Sequence, residues 1–255
     1  MLGLLSASWT RVGTTVVASF LASLVECVEA LTVVLAVGSV RGWRSALSGA
    51  AAALAVLAAV AAMLGPQLRR IPLHVIQLGV GTMVLLFGLR WLRKAILRAA
   101  GRIALHDEDA AYVQNTAAMR QSARTSPGAL DQVAVAAAFN ITMLEGTEVV
   151  FLVIALGAGG AGLLLPASIG AVLALAMVAG LGAALHRPLA RVPENTLKFL
   201  VGVLLAGFGT FWVGEGAGFV WPGGDVAIFG LVTAYLAIAL LLVATARSNP
   251  VVTGD

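Results

Sequence analysis

Long apolar runs, interrupted by the chain's few charges, constrain this sequence more than any other feature. A membrane-crossing helix needs about 20 predominantly apolar residues. Seven such runs can be read, at about 14–38, 46–65, 72–92, 132–157, 163–186, 195–214 and 226–245. Of the 255 residues, 60% are hydrophobic and only 11% charged, with a mean hydropathy of +0.99. One water-soluble core of this size cannot hide so much apolar surface, so lipid is the solvent for most of it. The expected fold class is an all-α polytopic membrane protein with seven transmembrane helices, and its first partner is the bilayer.

The sequence pI is near 10.0, which in a soluble protein would raise the question of nucleic acid. Here the basic residues stand between apolar runs, a pattern that orients a membrane protein, and no nucleic-acid partner is expected. Of the 16 Lys and Arg, Arg11, Arg69 and Arg70 fall on the amino-terminal face and the rest on the opposite one. By the positive-inside rule the amino terminus is expected outside and the carboxyl terminus in the cytoplasm of a cell-membrane protein. Arg11 is the one charge before the first run, so no cleaved signal peptide is expected. The lone cysteine, Cys27, excludes an intramolecular disulfide and a thiolate metal site; it reads as a small packing residue.

The long connection from Arg93 to Asp131 begins as a basic amphipathic continuation, Trp91 to Arg98, suited to a helix leaving the membrane at the headgroups. Its acidic run, His106 to Asp109, reads as a solvated charge cluster.

The chain is built twice. Phe20, Ser23, Glu26, Glu29, Ala36 and Gly38 match Phe139, Thr142, Glu145, Glu148, Ala155 and Gly157 at an offset of 119. Gly49, Arg70, Pro72, Gly81, Phe87, Gly88 and Trp91 match Gly170, Arg191, Pro193, Gly202, Phe208, Gly209 and Trp212 at an offset of 121. The repeat unit is three helices. Three being odd, the second copy enters the membrane from the opposite side, giving inverted repeats of the kind secondary transporters use, with sites near the midplane. The expected organisation is residues 1–104 for the first repeat, 105–130 for a cytoplasmic loop, 131–216 for the second repeat and 217–255 for a seventh helix and tail.

Between Val12 and Val40 the charged residues are Glu26 and Glu29; between Gln132 and His186 they are Glu145 and Glu148. A charge at the bilayer centre costs about 2.5–3.5 kcal/mol on the lenient insertion scale. Positions three apart share a helical face, so Ser23 and Thr142 lie one turn before the acids on those same faces. Apart from Arg90 at the end of the third run, Lys198, near the end of the sixth, is the basic residue within a span, so the sequence predicts that an internal salt bridge cannot neutralise four acids and that a bound cation can. All-oxygen ligation suits hard cations such as Mg²⁺, Ca²⁺, Mn²⁺ or ferric iron. The metal positions are therefore Glu26, Glu29, Glu145 and Glu148, with Ser23 and Thr142 as auxiliary ligands. Displacement of protons shared by the acids would couple cation entry to proton movement. The competing reading is that a buried Glu simply hydrogen-bonds a neighbouring helix.

Seven helices as three plus three plus one, Glu-X-X-Glu in the first and fourth, and an outside amino terminus resemble the high-affinity iron permeases of the oxidase-dependent iron transporter family. Glu145-Gly146-Thr147-Glu148 is similar to that family's Arg-Glu-Gly-X-Glu motif, and Glu26-Cys27-Val28-Glu29 to its first copy; Val25 and Leu144 replace the motif arginines. Val80 to Lys94 is similar to the family's third helix. The resemblance implies a permease, with the four glutamates as ion-binding positions. The metal is then cargo, no permanently bound cofactor is expected, and no protein partner can be named.

Manganese and calcium proton exchangers, also built from two three-helix repeats with acidic motifs, are the alternative, as is a membrane assembly subunit. A membrane enzyme is disfavoured by the lack of a His-Glu-X-X-His, Gly-X-Ser-X-Gly or Walker sequence. Gln77, Thr82, Gln132 and Asn140 could supply further ligands or interhelical hydrogen bonds, and His74 and His186 read as interfacial. Glu215 and Asp225, flanking Trp221-Pro222, read as a solvated turn.

Overall fold

The computed structural model describes residues 2–68, 71–105, 108–121, 130–158, 160, 162–185 and 194–248. Arg69, Arg70, His106, Asp107, Arg124, His186, Arg187, Arg191 and Pro193 lie outside the described residues. The chain folds into α1 (Leu2–Arg41), α2 (Trp43–Leu68), α3 (Leu73–Ala99), α4 (Glu108–Gln121), α5 (Gln132–Ala158), α6 (Leu164–Leu185), α7 (Glu194–Gly216) and α8 (Ala227–Ser248), with one 3-10 turn, Gly224–Val226, before α8. No strand occurs among the described residues. All but α4 are long and apolar enough to cross a membrane, so the protein is an all-α, multi-pass membrane protein with seven candidate spans. Helices alone satisfy every backbone group internally, which is why apolar runs of this length take no other form in lipid.

Glycines set the packing. A Cβ at Gly49 would stand 2.2 Å from the Val135 carbonyl oxygen, and one at Gly170 would stand 2.5 Å from that of Val16. These are the same contact in the two repeats, because Gly49 matches Gly170 and Val16 matches Val135. Small residues let backbones touch where lipid supplies no hydrophobic drive between helices.

The contacts also fix direction. Gly49 meets Val135 and Phe139 while Gly146 meets Leu57, so α2 and α5 run parallel. Gly170 meets Val16 and Phe20 while Gly182 meets Leu31, so α1 and α6 run parallel. Along α3 and α7 the order reverses: Gly81 meets Trp212, Gly88 meets Leu205 and Ala206, and Gly202 meets Leu92. The chain turns back between α1 and α2 at Gly42, whose φ of +109° favours a residue without Cβ. Thus α5, parallel to α2, is antiparallel to α1, and the second three-helix unit is inverted relative to the first.

The helices α1 and α7 are the most enclosed, and α2 and α8 expose the most apolar surface to lipid. Phe208, Phe211, Trp212, Leu152 and Leu156 form the main core cluster. Cys27 packs against a smaller cluster made by Leu24, Val28, Ala174 and Val178.

At one end of the bundle, Arg41 at the close of α1 forks onto Asp131, Nε to Oδ2 at 2.8 Å and Nη2 to Oδ1 at 3.0 Å. Asp131 also caps α5, accepting from the Val133 and Ala134 amides. The guanidinium beside it, together with those amide bonds, holds the Asp131 carboxyl below the usual carboxylate range. Arg41 also donates to the Met119 carbonyl at 3.1 Å, and Tyr112 meets Ser39 at 3.1 Å, so α4 is strapped along the end of α1.

Candidate metal centre

Glu26 is the midpoint of the candidate span Arg11–Arg41, and Glu145 the midpoint of Gln132–Ala158. The inverted repeat brings these two midpoints together. Glu26 is 2% exposed and Glu145 8%, and a carboxylate oxygen of one lies within 4.8 Å of one of the other. One carboxylate oxygen from each of Glu26, Glu29 and Glu145 lies within 4.8 Å of the others, the one such grouping of three or more His, Cys, Asp or Glu residues among the described residues. Oxygen ligands to a hard cation sit at about 2.0–2.6 Å, so oxygens sharing one ion stand no more than about 5 Å apart. The observed spread fits within that bound.

Glu148 is placed differently from its three companions. It is half-buried and interacts electrostatically with Glu145 and Glu29, but its oxygens fall outside the tight triplet. Three of the four expected metal positions therefore converge, and the fourth stands beside them.

The auxiliary positions are enclosed as well. Ser23 and Thr142 are buried, and neither hydroxyl has a hydrogen-bond partner. Glu26 Oε1 is likewise buried without a partner. Buried polar atoms are nearly always paired, and leaving one unpaired costs about 1–3 kcal/mol. Glu26 belongs to the triplet, and Ser23 and Thr142 lie one turn before Glu26 and Glu145, so these three oxygens could serve as ligands to a cation.

One expectation needs correction. The sequence predicted that no salt bridge could neutralise the acids, yet Lys198 pairs with Glu29. Lys198 sits one turn into α7, and its four-carbon stem reaches the carboxylate across the helix interface. The same ammonium stands 5.7 Å from the centroid of the Trp91 ring. Glu29 is thus paired from within the chain, and Lys198 and Arg90 also act electrostatically on Glu148.

The other polar positions lie away from the triplet. Thr82, Gln132 and Asn140 are exposed on the outer surface, and so is His74. Gln77 is buried and donates to Glu215 at 2.8 Å. Asp225 is not the solvated turn residue expected: it is buried and paired with Arg11, which also stands 3.7 Å from Glu215. The partners are 214 residues apart in sequence, and α1 begins far enough before the apolar run to carry Arg11 to the α7–α8 connection.

Compared with family models, with proteins of curated function and with solved structures, the chain matches none.

Proposed function

We propose that this protein is a membrane permease for a hard metal cation, which it binds as substrate between the paired Glu-X-X-Glu motifs of α1 and α5. The observation that carries the reading is the convergence of Glu26, Glu29 and Glu145 oxygens within 4.8 Å at the centre of two antiparallel spans. Ionisable groups at that depth are costly and mark ion pathways by default. Inverted repeats meeting at such a site are the architecture of alternating access, in which one repeat rocks against the other about a fixed midplane position. The unpartnered oxygens of Glu26, Ser23 and Thr142 give the ion ligands already desolvated.

Iron is the leading cargo, by resemblance to the high-affinity iron permeases, with the amino terminus outside the cell and the carboxyl terminus in the cytoplasm. A second reading, proton-exchanging transport of manganese or calcium, draws on the closeness of the Glu26 and Glu145 oxygens. Carboxyl groups this close share protons when no cation is bound, and a cation entering there displaces them. Both readings make the same first demand of the site.

The test is uptake of Fe²⁺, Fe³⁺, Mn²⁺ and Ca²⁺ into liposomes holding the purified protein. Uptake of at least one ion above that of protein-free vesicles, and its loss in Glu26→Gln and Glu145→Gln, is the expected result. Equal uptake by parent and both variants would remove the site from the pathway. A rate independent of external pH would remove proton exchange.

A further inference from the structure

We infer that Lys198 is a tethered counter-cation of this site: its ammonium neutralises Glu29 when no metal is bound and must surrender that carboxylate when one enters. The inference deepens the proposed glutamate cation site and rests on it.

A lysine one turn from a helix end ordinarily extends its stem outward to the membrane surface. Lys198 turns inward instead, with its side chain 15% exposed and its Nζ paired with Glu29. Glu29 is the same residue that offers an oxygen within 4.8 Å of Glu26 and Glu145. An ammonium on that carboxylate cancels the charge it presents to a second cation, and a divalent ion among the three acids would stand within a few ångströms of the ammonium. Like charges that close in a desolvated setting repel strongly. Both cannot hold Glu29 together.

The structure also offers the ammonium an alternative seat. Trp91 lies 5.7 Å away by its ring centroid, within the distance at which an aromatic face attracts a cation. Withdrawal from Glu29 toward that ring would keep Lys198 out of hydrocarbon while exposing Glu29 to the metal.

Lys198 has no basic counterpart in the other repeat, although it also acts electrostatically on Glu148. At the 121 offset Lys198 matches Gln77, a neutral amide bonded to Glu215, whereas at the 119 offset Glu29 matches Glu148. The repeat has kept the acid in both copies and the cation in one. A two-fold site is thereby made lopsided, with Glu29 switched by an internal competitor. Loading is then an exchange of one cation for another, and return of Lys198 assists release.

The test is calorimetric binding of Mn²⁺, Fe²⁺ and Ca²⁺ to the purified full chain, comparing parent, Lys198→Gln, Lys198→Arg and Glu26→Gln. Removing the competitor is expected to tighten binding about tenfold or more, with Lys198→Arg staying near the parent. Because an unpaired Glu29 destabilises the empty protein, the melting temperature of Lys198→Gln should also rise more on adding cation than the parent's does. If Lys198→Gln binds no tighter and gains no extra thermal shift while Glu26→Gln abolishes binding, the glutamate site stands and the role of Lys198 falls. If no chain, parent included, binds any of the three ions, the site falls and the inference with it.

Discussion

At the scale of single residues, the site is defined by which polar atoms the fold leaves buried and in what company. Glu26 and Glu145 stand at the midpoints of their spans with oxygens within 4.8 Å of each other, so each is expected to be indispensable. Replacing either by Gln keeps shape and removes charge, and should lower uptake by about tenfold or more. Ser23→Ala and Thr142→Ala remove one neutral oxygen each and should cost only a few-fold in apparent affinity. At the rim, Asp131→Ala removes the α5 cap and strands Arg41, whose side chain is fully enclosed, so a loss of about 3 kcal/mol or more is expected by thermal unfolding. The carboxyl of Asp131 is held below its ordinary range, so its contribution is present above that range and is lost as pH falls through the lowered value. Parent and Asp131→Asn should therefore differ in melting temperature at neutral pH and converge only at pH below about 3.9.

The paired acids were legible because nothing else charged interrupts their runs, and an uncompensated charge in lipid has few explanations. Lys198 was visible but misread. Its place at a helix end suggests an interfacial residue, and nothing local records that a flexible stem turns inward to a carboxylate 169 residues away. Arg11 with Asp225 is the same case, a pairing that only the assembled bundle creates.

At the scale of helices, matched glycines in the sequence announce matched contacts. Gly49 and Gly170 each press on a partner backbone at distances no Cβ can occupy. Gly49→Ala and Gly170→Ala should therefore destabilise by similar amounts, about 1–3 kcal/mol each, by prying α2 from α5 and α1 from α6. Comparable losses in melting temperature would agree with the two-fold relation, and a large loss in one with none in the other would not. Seven apolar helices could be read from hydropathy, but their ends could not. The first helix spans 40 residues because its polar ends are tied to other elements, Arg11 to Asp225 and Arg41 to Asp131. The helix α4 was not foreseen, because its 14 residues carry a polar composition without an apolar run; contacts with Ser39 and Arg41 hold it in place.

At the scale of the whole molecule, inversion is the property from which the site follows. Inverted repeats are related by an axis in the membrane plane, so Glu26 and Glu145, at the midpoints of their spans, meet at the midplane. The three-helix period revealed this in the sequence, and the directions of α1, α2, α5 and α6 bear it out. The proposed orientation can be checked separately with Cys27→Ser as background. A cysteine at exposed Val113 on α4 should be labelled only from the cytoplasm, and one at exposed Val220 only from outside. The reverse pattern would turn the molecule over without disturbing the site.

The most direct measurement is the anomalous scattering of crystals of the protein soaked in Mn²⁺ or Fe²⁺. A single strong peak is expected at about 2.0–2.6 Å from carboxylate oxygens of Glu26, Glu29 and Glu145, with Lys198 drawn off Glu29. Peaks confined to the acids at the bundle ends, or none at all, would contradict a metal centre at the midplane.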